Sequence, residues 1–186
     1  MTVKERNKVI HIAIDGPAGA GKSSVAREIA GRLGIAYLDN GAMYRVIAYK
    51  VLRLGVPAQD EEKVTGIARN THITFEWGKE PLVYCDGTDV TAQIRTTEVS
   101  RTVSVIAAYH GVRECLVAMQ REEAAKGSVV MDGRDIGTYV LPGAPYKFFL
   151  TASVEERARR RCLDHKSQGQ EVPMDEMIRE IEKRDQ

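Results

Sequence analysis

The sequence contains few cysteines and histidines, and neither residue type occurs in a metal-binding pattern. Its three cysteines, Cys85, Cys115 and Cys162, lie far apart, and no CxxC pair is present. Structural zinc sites and disulfide-rich secreted domains need closely spaced or paired cysteines, so this spacing argues against both classes of protein. The four histidines are also scattered, and they lack the HExxH or HxxxH spacing of a zinc site.

Long apolar runs and an excess of one charge are also lacking. No run approaches the ~20 apolar residues of a membrane span, and the polar start MTVKERNK lacks the apolar segment of a secretory signal. The 27 Lys and Arg residues balance 26 Asp and Glu residues, so no overall basic field exists to attract nucleic acid or anionic membranes. We therefore expect a cytoplasmic protein without a nucleic-acid or membrane partner, in which any anion site is local.

The order of the apolar segments predicts an α/β domain. With 186 residues, 43% of them hydrophobic, the chain can form one well-packed domain. The β-branched run Val9–Ile14 is typical of a strand buried on both faces, and apolar residues then recur at helical spacing until Gly34. The later segments are an extended stretch at 36–39, helices at 42–54 and 60–69, helical patterning over 98–126 with a break near Gly111, strands at 128–131 and 146–150, and helices at 154–166 and 174–185. This alternation favours a three-layer fold around a parallel sheet.

Residues 72–95 interrupt the alternation of strands and helices. The stretches THITFEW, PLVYCDG and DVTAQIR contain alternating apolar positions. A GK turn at 78–79 and a DG turn at 86–87 separate them, and DG is a strong hairpin signal. We expect a small antiparallel insertion here.

The stretch GPAGAGKS at residues 16–23 fits the phosphate-binding loop pattern G-x-x-x-x-G-K-[ST]. Glycines let backbone N–H groups turn toward phosphate oxygens, and the following helix adds its free N–H groups and positive dipole end. Lys22 is expected to reach the β- and γ-phosphates of ATP, and the Ser23 hydroxyl to bind Mg²⁺. The loop alone leaves GTPases, motor ATPases and small-molecule kinases open, although no N-K-x-D motif of a GTPase occurs.

A second candidate site is the stretch VVMDGRD, residues 129–135, at the carboxyl end of a predicted strand. Ligands of open α/β sheets bind at such ends. Asp132 and Asp135 with Arg134 between them suit a magnesium-polarising carboxylate beside a phosphate or base contact. A salt-bridged loop without a ligand is the alternative interpretation.

A third candidate is the arginine-rich stretch SVEERARRR, residues 153–161. Arg157, Arg160 and Arg161 can share one side of a helix, since they stand at i, i+3 and i+4. Guanidinium groups stabilise the charge spread over a transferred phosphoryl group. A solvated charged helix face is the alternative.

Taken together, these motifs resemble those of the bacterial cytidylate kinases. The resemblance runs from about Val9 to the last residue, in order and without large gaps. It rests on GPAGAGKS at 16–23, YLDNGAMYR at 37–45, D-G-x-D-V-T-x-x-I-R at 86–95, VSVIAA at 103–108, VRECL at 112–116, DGRDIGT at 132–138 and S-V-E-E-R-A-x-R-R at 153–161. It implies ATP-dependent phosphorylation of CMP or dCMP, with Mg²⁺, by a monomeric P-loop enzyme of the nucleoside-monophosphate-kinase fold.

The resemblance also implies a domain division and a role for each matching residue. The core would cover about 8–55 and 97–152, the insertion that helps bind the monophosphate about 70–96, and a mobile lid about 153–172. Catalysis is assigned to Lys22, Arg134, Arg157 and Arg161. ATP binding is assigned to Gly16, Pro17, Ala18, Gly19, Ala20, Gly21, Lys22, Ser23, Ser24 and Arg160, and magnesium binding to Ser23 and Asp132. Arg45 and Arg134 would hold the CMP phosphate, Ser104, Arg113 and Asp135 would read the cytosine, and Asn40, Tyr44 and Arg184 complete the substrate set.

The chemistry of cytosine agrees with this assignment of the base-reading residues. Cytosine presents a donating amino group at C4 and acceptors at N3 and O2. A carboxylate such as Asp135 can accept from the amine, while Arg113 can donate to the acceptors. Uracil reverses the polarities at C4 and N3 and would leave buried groups unpaired, so uridylate is expected to be a poor acceptor.

Two departures from the family pattern accompany this resemblance. Asn40 stands where the family usually has Ser or Thr, and its bulkier amide would reshape a contact near the acceptor base. The chain stops at EKRDQ, where relatives continue with a segment that Arg184 and Asp185 only begin, so we expect the C-terminal end of the family fold to be missing. Two other functions stay open: a P-loop kinase for UMP, AMP or a shikimate-like acceptor, and a non-catalytic ATP-binding regulator.

Overall fold

The computed structural model describes residues 9–76, 81–167, 169 and 171–185, without the side chains of Ser167 and Arg184. The elements in chain order are β1 (His11–Asp15), α1 (Lys22–Leu33), β2 (Ala36–Asp39), α2 (Asn40–Arg53), α3 (Glu61–Arg69), β3 (Ile73–Glu76), β4 (Leu82–Cys85), β5 (Thr88–Asp89), a 3-10 helix (Gln93–Arg95), α4 (Thr97–Ile106), α5 (His110–Ala125), β6 (Val129–Gly133), a π-helical turn (Ile136–Val140), β7 (Tyr146–Phe149), α6 (Val154–Ser167) and α7 (Met174–Asp185).

A parallel sheet of four strands forms the centre of the molecule, in the order β2-β6-β1-β7. In the register, Ile14 of β1 lies opposite Asp132 of β6 on one side and Phe148 of β7 on the other. The inner strands β1 and β6 are almost entirely buried, as expected for parallel strands covered by helices on both faces. The predicted α/β fold with a parallel sheet is confirmed.

Helices cover the two faces of this sheet and create separate apolar clusters. One face packs against α1, where the cluster is Ile12, Ile14, Ala26, Ala30, Tyr37 and Val130. The larger cluster on the other face includes buried residues of α2, α3, α4 and α5. Ala158 of α6 forms a third, smaller cluster with Met177 and Ile181 of α7. Within the described residues, no helix is both long enough and apolar enough to cross a bilayer.

The connection from β1 to α1 depends on glycine. Gly16 has a φ of +146°, and a Cβ there would lie 2.0 Å from the carbonyl oxygen of Leu150. No other residue tolerates both the backbone conformation and that contact. The chain therefore turns sharply at the end of β1, and α1 begins at Lys22 directly after the loop.

The predicted antiparallel insertion is confirmed as a three-stranded sheet in the order β3-β4-β5. Asp86 and Gly87 have φ angles of 51° and 81°, the left-handed pair that a two-residue hairpin turn requires. The third strand is only two residues long, and the 3-10 helix follows after three residues. The GK turn expected at 78–79 lies outside the described residues.

The predicted break of the helical stretch 98–126 near Gly111 is confirmed, and it lies at 107–109. Gly111 is instead inside the first turn of α5, where a Cβ would lie 2.5 Å from Cγ2 of Thr65 in α3. The glycine therefore allows α3 and α5 to approach closely. A glycine is therefore needed at position 111 for the packing of these two helices.

Candidate active site

Three acidic residues lie at the carboxyl ends of neighbouring strands of the parallel sheet. Asp39 of β2 is directly opposite Asp132 of β6, and Asp15 of β1 is opposite the next residue, Gly133. Asp15 and Asp132 are both buried. Burial of several carboxylates at one sheet edge is costly unless cations or hydrogen-bond donors face them.

Asp132 connects the second sequence motif to the phosphate loop. Its Oδ2 accepts a hydrogen bond of 2.8 Å from the Ser23 hydroxyl, and its Oδ1 accepts one of 2.7 Å from the Tyr37 hydroxyl. Ser23 and Asp132 were both predicted to bind magnesium, and the fold brings them together. Their hard oxygen donors fit Mg²⁺, which protein sites hold through one or two carboxylates plus substrate phosphates.

Burial and the neighbouring carboxylate of Asp39 raise the pKa of Asp132 to about 6. Lys22 faces this group, and burial lowers the pKa of its ammonium while the attraction of Asp132 opposes that change. Tyr37, buried beside the same acids, has its pKa raised by desolvation. Ionisation of the Asp132 carboxylate is therefore unfavourable in this site, and a bound cation would stabilise its charged form.

The Asp132→Asn variant is expected to be more stable than the wild type at pH 8 without divalent metal. The folded protein keeps the Asp132 proton up to about pH 6, whereas the ordinary pKa is 3.8. Between these values the folded state binds more protons, so the contribution of Asp132 to stability falls as pH rises. The difference of about two units between the folded-state pKa and the ordinary pKa of Asp132 corresponds to about 3 kcal/mol in the free energy of unfolding at pH 8.

The test is urea unfolding at pH 4 and pH 8 in EDTA. Asp132→Asn should have a higher free energy of unfolding than the wild type at pH 8 but not at pH 4. The control Glu182→Gln, an exposed position on α7, should match the wild type at both pH values. A lower stability of Asp132→Asn at pH 8 would contradict the raised pKa.

The phosphate loop packs against helix α6, which contains the arginine-rich motif. Arg157 donates from Nη1 to the carbonyl of Ala18 at 3.4 Å, and Arg160 from Nη1 to the carbonyl of Ala20 at 3.1 Å. Lys22 donates from Nζ to the carbonyl of Pro17 at 2.8 Å. The loop carbonyls thus face cationic side chains.

The predicted lid arginines differ in their surroundings. Arg157 is only 4% exposed and pairs with Asp185 of α7. Arg160 is half-buried and also bonds Glu156 at 2.6 Å, while Arg161 is partly exposed. Ser24 is exposed in the first turn of α1, and the side chain of Arg184 lies outside the described residues.

The predicted base-reading residues Arg113 and Asp135 form an ion pair at 2.6 Å, with side chains 41% and 33% exposed. Burial and the charge of Asp135 raise the pKa of Tyr44 to about 12, and Arg113 opposes this through its charge and a hydrogen bond. The Arg113 guanidinium also lies 5.5 Å from the centre of the Tyr139 ring. The fold therefore gathers Tyr44, Arg113 and Asp135 from three separate segments.

Arg45 and Ser104 both bond to Ser100 of α4. Arg45 donates from Nη1 to the carbonyl of Ile94 at 3.1 Å and to the hydroxyl of Ser100 at 2.9 Å. Ser104, one turn further along α4, donates to the carbonyl of Ser100 at 3.2 Å. Arg134 is exposed, and its charge acts on Lys22.

Asn40 lies buried at the start of α2 and accepts a hydrogen bond from the Gln120 amide of α5. Its Nδ2 approaches Gly133, where a Cβ would lie 2.8 Å away. The amide is thus held between β6 and α5, and its contact with an acceptor stays a prediction.

Two side chains that organise the site escaped the sequence analysis. Asp15 accepts hydrogen bonds from the backbone N–H groups of Ile136 at 2.7 Å and Gly137 at 2.8 Å, which holds the turn after the DGRD motif. Tyr37 orients Asp132. Asp15 stands directly before the phosphate loop, which was a usable signal, whereas nothing local to Tyr37 indicates a partner 95 residues away.

Comparison with known proteins places this geometry in a family. The family model described as cytidylate kinase matches residues 12–186. The cytidylate kinase of Desulfitobacterium hafniense is 59% identical over 178 residues, covering 96% of this chain and 77% of the relative. Those of Desulforamulus reducens and Caldanaerobacter subterraneus are 53% and 52% identical, over 94% and 96% of this chain and 78% and 79% of the relatives. The chain therefore belongs to the cytidylate kinase family.

Proposed function

We propose that this chain transfers the γ-phosphoryl group of ATP to CMP and dCMP, giving ADP and CDP or dCDP. One observation supports it above all others. The four-residue stretch DGRD carries Asp132, which bonds Ser23 of the phosphate loop, and Asp135, which pairs with Arg113. A single turn of chain thus connects the donor side of the site to a pair of groups complementary to cytosine.

In this proposal, positioning and charge neutralisation supply most of the catalysis. Ser23 and Asp132 would hold Mg²⁺, which neutralises charge on the phosphate oxygens when bound. Lys22 would exchange its present partner, the carbonyl of Pro17, for the β- and γ-phosphates. The accepting phosphate is already an anion, so no strong general base is required.

The acceptor would lie between the DGRD turn and helices α2, α4 and α5. Arg45 and Arg134 would hold its phosphate, and Arg113 and Asp135 its base. The packing of α6 on the loop supports a lid role for the arginine-rich helix, with Arg160 and Arg161 toward the nucleotide and water excluded on closure. The division into core, insertion and lid, the monomeric state and the cytoplasmic location belong to the same proposal.

The test is an acceptor screen that measures ADP release with ATP, Mg²⁺ and each of CMP, dCMP, UMP and AMP. We expect turnover with CMP and dCMP, and kcat/KM for UMP lower by at least about 10-fold, because bidentate contacts discriminate by about 1–3 kcal/mol each. Comparable rates with UMP or AMP would favour a broader kinase. ATP binding without acceptor-dependent ADP release would favour a non-catalytic regulator.

A further inference from the structure

The guanidinium of Arg157 is enclosed between the phosphate loop and the end of α7. Only 4% of the residue is exposed. Nη1 donates to the carbonyl of Ala18 at 3.4 Å, and Nη2 pairs with the carboxylate of Asp185. Nε is buried without a hydrogen-bond partner in the part of the chain that the structure describes. Arg159, two residues further along α6, is instead exposed, and its two side-chain hydrogen bonds among the described residues both go to Glu156.

The backbone of α6 also packs closely against the phosphate loop at Arg157. A Cβ on Gly19 would lie 3.2 Å from Cβ of Arg157 and 3.3 Å from its carbonyl oxygen. Gly19 has a φ of +79° as well, so any other residue there would be strained. Loop and helix therefore fit each other at Gly19 and Arg157 before any nucleotide is considered.

The direction of this contact separates Arg157 from the phosphates. A phosphate loop turns its N–H groups toward the anion, and its carbonyl groups then point the opposite way. A side chain bonded to the Ala18 carbonyl consequently lies on the outer side of the loop. Moving it to a phosphate would break both its ion pair with Asp185 and its hydrogen bond to Ala18, so the contacts that the structure shows favour its present place.

We infer that Arg157 is a positioning residue, which holds the phosphate loop in its nucleotide-binding shape, and that Asp185 holds Arg157. This inference rests on the ATP site of the proposed function. It replaces the direct catalytic role that the family resemblance implies for Arg157. Arg160 also bonds a loop carbonyl, that of Ala20, but unlike Arg157 it is only partly buried, so it can leave that carbonyl for ATP and keeps its assignment.

Helix α7 is thereby part of the donor site through Asp185, which acts on the phosphates only by holding Arg157. It is anchored to α6 through Ala158, Met177 and Ile181, all buried. This packing places Asp185 at Arg157, 28 residues away in sequence. The two helices and the loop then form one packed unit, so a change at Asp185 should alter the affinity for ATP.

The experiment compares Arg157→Lys, Asp185→Asn and the double variant with the wild type. Arg159→Gln is the matched control on the same helix. Direct calorimetry measures ATP binding without acceptor, steady-state kinetics gives kcat and the KM for CMP, and thermal unfolding reports folding. Calorimetry keeps the test independent of whether CMP proves to be the acceptor.

Each single variant should weaken ATP binding by about 10-fold, the loss expected for one charge-assisted hydrogen bond. The double variant should bind ATP no more weakly than the weaker-binding single variant, because both changes remove the same linked contact. At saturating ATP, kcat should stay within about threefold, since an interaction lost equally from ground and transition states does not change it. Arg159→Gln should match the wild type, and the KM for CMP should be unchanged in every variant.

Two results would overturn the inference. An unchanged ATP affinity with a kcat about 100-fold lower in Arg157→Lys would show a direct contact with the transferred group. Lower unfolding temperatures with unchanged ATP affinity would show a merely structural ion pair. A wild type that binds ATP but does not phosphorylate CMP would refute the proposed acceptor and leave this inference to be judged by the ATP affinities.

Discussion

The Lys22→Met variant is expected to lose about 10³-fold in kcat/KM for CMP phosphorylation, because one preorganised electrostatic contact to the transferred group is removed. The structure adds a second cause. Burial lowers the pKa of Lys22 and the attraction of Asp132, Asp15 and Asp39 opposes that change, so its charge interacts with all three carboxylates. Removing it takes away a charge that lowers the pKa of Asp132, so that pKa rises further.

This prediction is checked by single-turnover and steady-state kinetics over a range of Mg²⁺ concentrations. Lys63→Met is the matched control, since Lys63 is exposed on α3 and paired with Asp60 at 2.8 Å. Circular dichroism should show a folded Lys22→Met protein. Turnover within about 10-fold of the wild type would mean that another group carries the charge neutralisation.

The second large effect is expected at the acceptor base. Asp135→Asn should lower kcat/KM for CMP by about 10 to 100-fold and reduce the preference for CMP over UMP, because bidentate base contacts are worth about 1–3 kcal/mol. A carboxylate only accepts hydrogen bonds, whereas an amide also donates and can pair with the C4 oxygen of uracil. The variant also removes the ion pair that holds Arg113 at 2.6 Å.

The measurement is kcat/KM for CMP and UMP at saturating ATP, with Glu114→Gln as the control. Glu114 follows Arg113 on α5 but pairs with His110 at 3.1 Å, where both side chains are mostly exposed. The ATP affinity should not change in either variant. If the ratio of CMP to UMP is unaltered in Asp135→Asn, the base is read elsewhere.

The sequence predicts the elements of this fold well because their signals are local. The β-branched run before the phosphate loop becomes β1, and the DG pair takes the left-handed turn conformation that its residue types favour. The helix break predicted near Gly111 is confirmed at 107–109, although Gly111 itself lies within α5. Glycine reports either a break or a close approach, and only the contact with Thr65 shows which applies.

The candidate site is predictable in its motifs and not in its contacts. The phosphate loop, the DGRD stretch and the arginine-rich helix are each readable from spacing, and the family resemblance relates them. The hydrogen bond from Ser23 to Asp132 spans 109 residues, and those from Ile136 and Gly137 to Asp15 span more than 120. Those pairings depend on β6 lying next to β1 and β2 in the sheet.

Sequence by itself determined the glycine loop, the alternation of strands and helices, and the residue types available to bind phosphate and base. Those properties follow from backbone freedom and from the period of neighbouring side chains, so they can be recognised along the chain. The tertiary structure decided which charges meet: Asp132 beside Ser23, Asp135 beside Arg113, and Arg157 between the loop and Asp185. The cost of burying a charge is offset only by partners that the strand order and helix packing bring within hydrogen-bond distance.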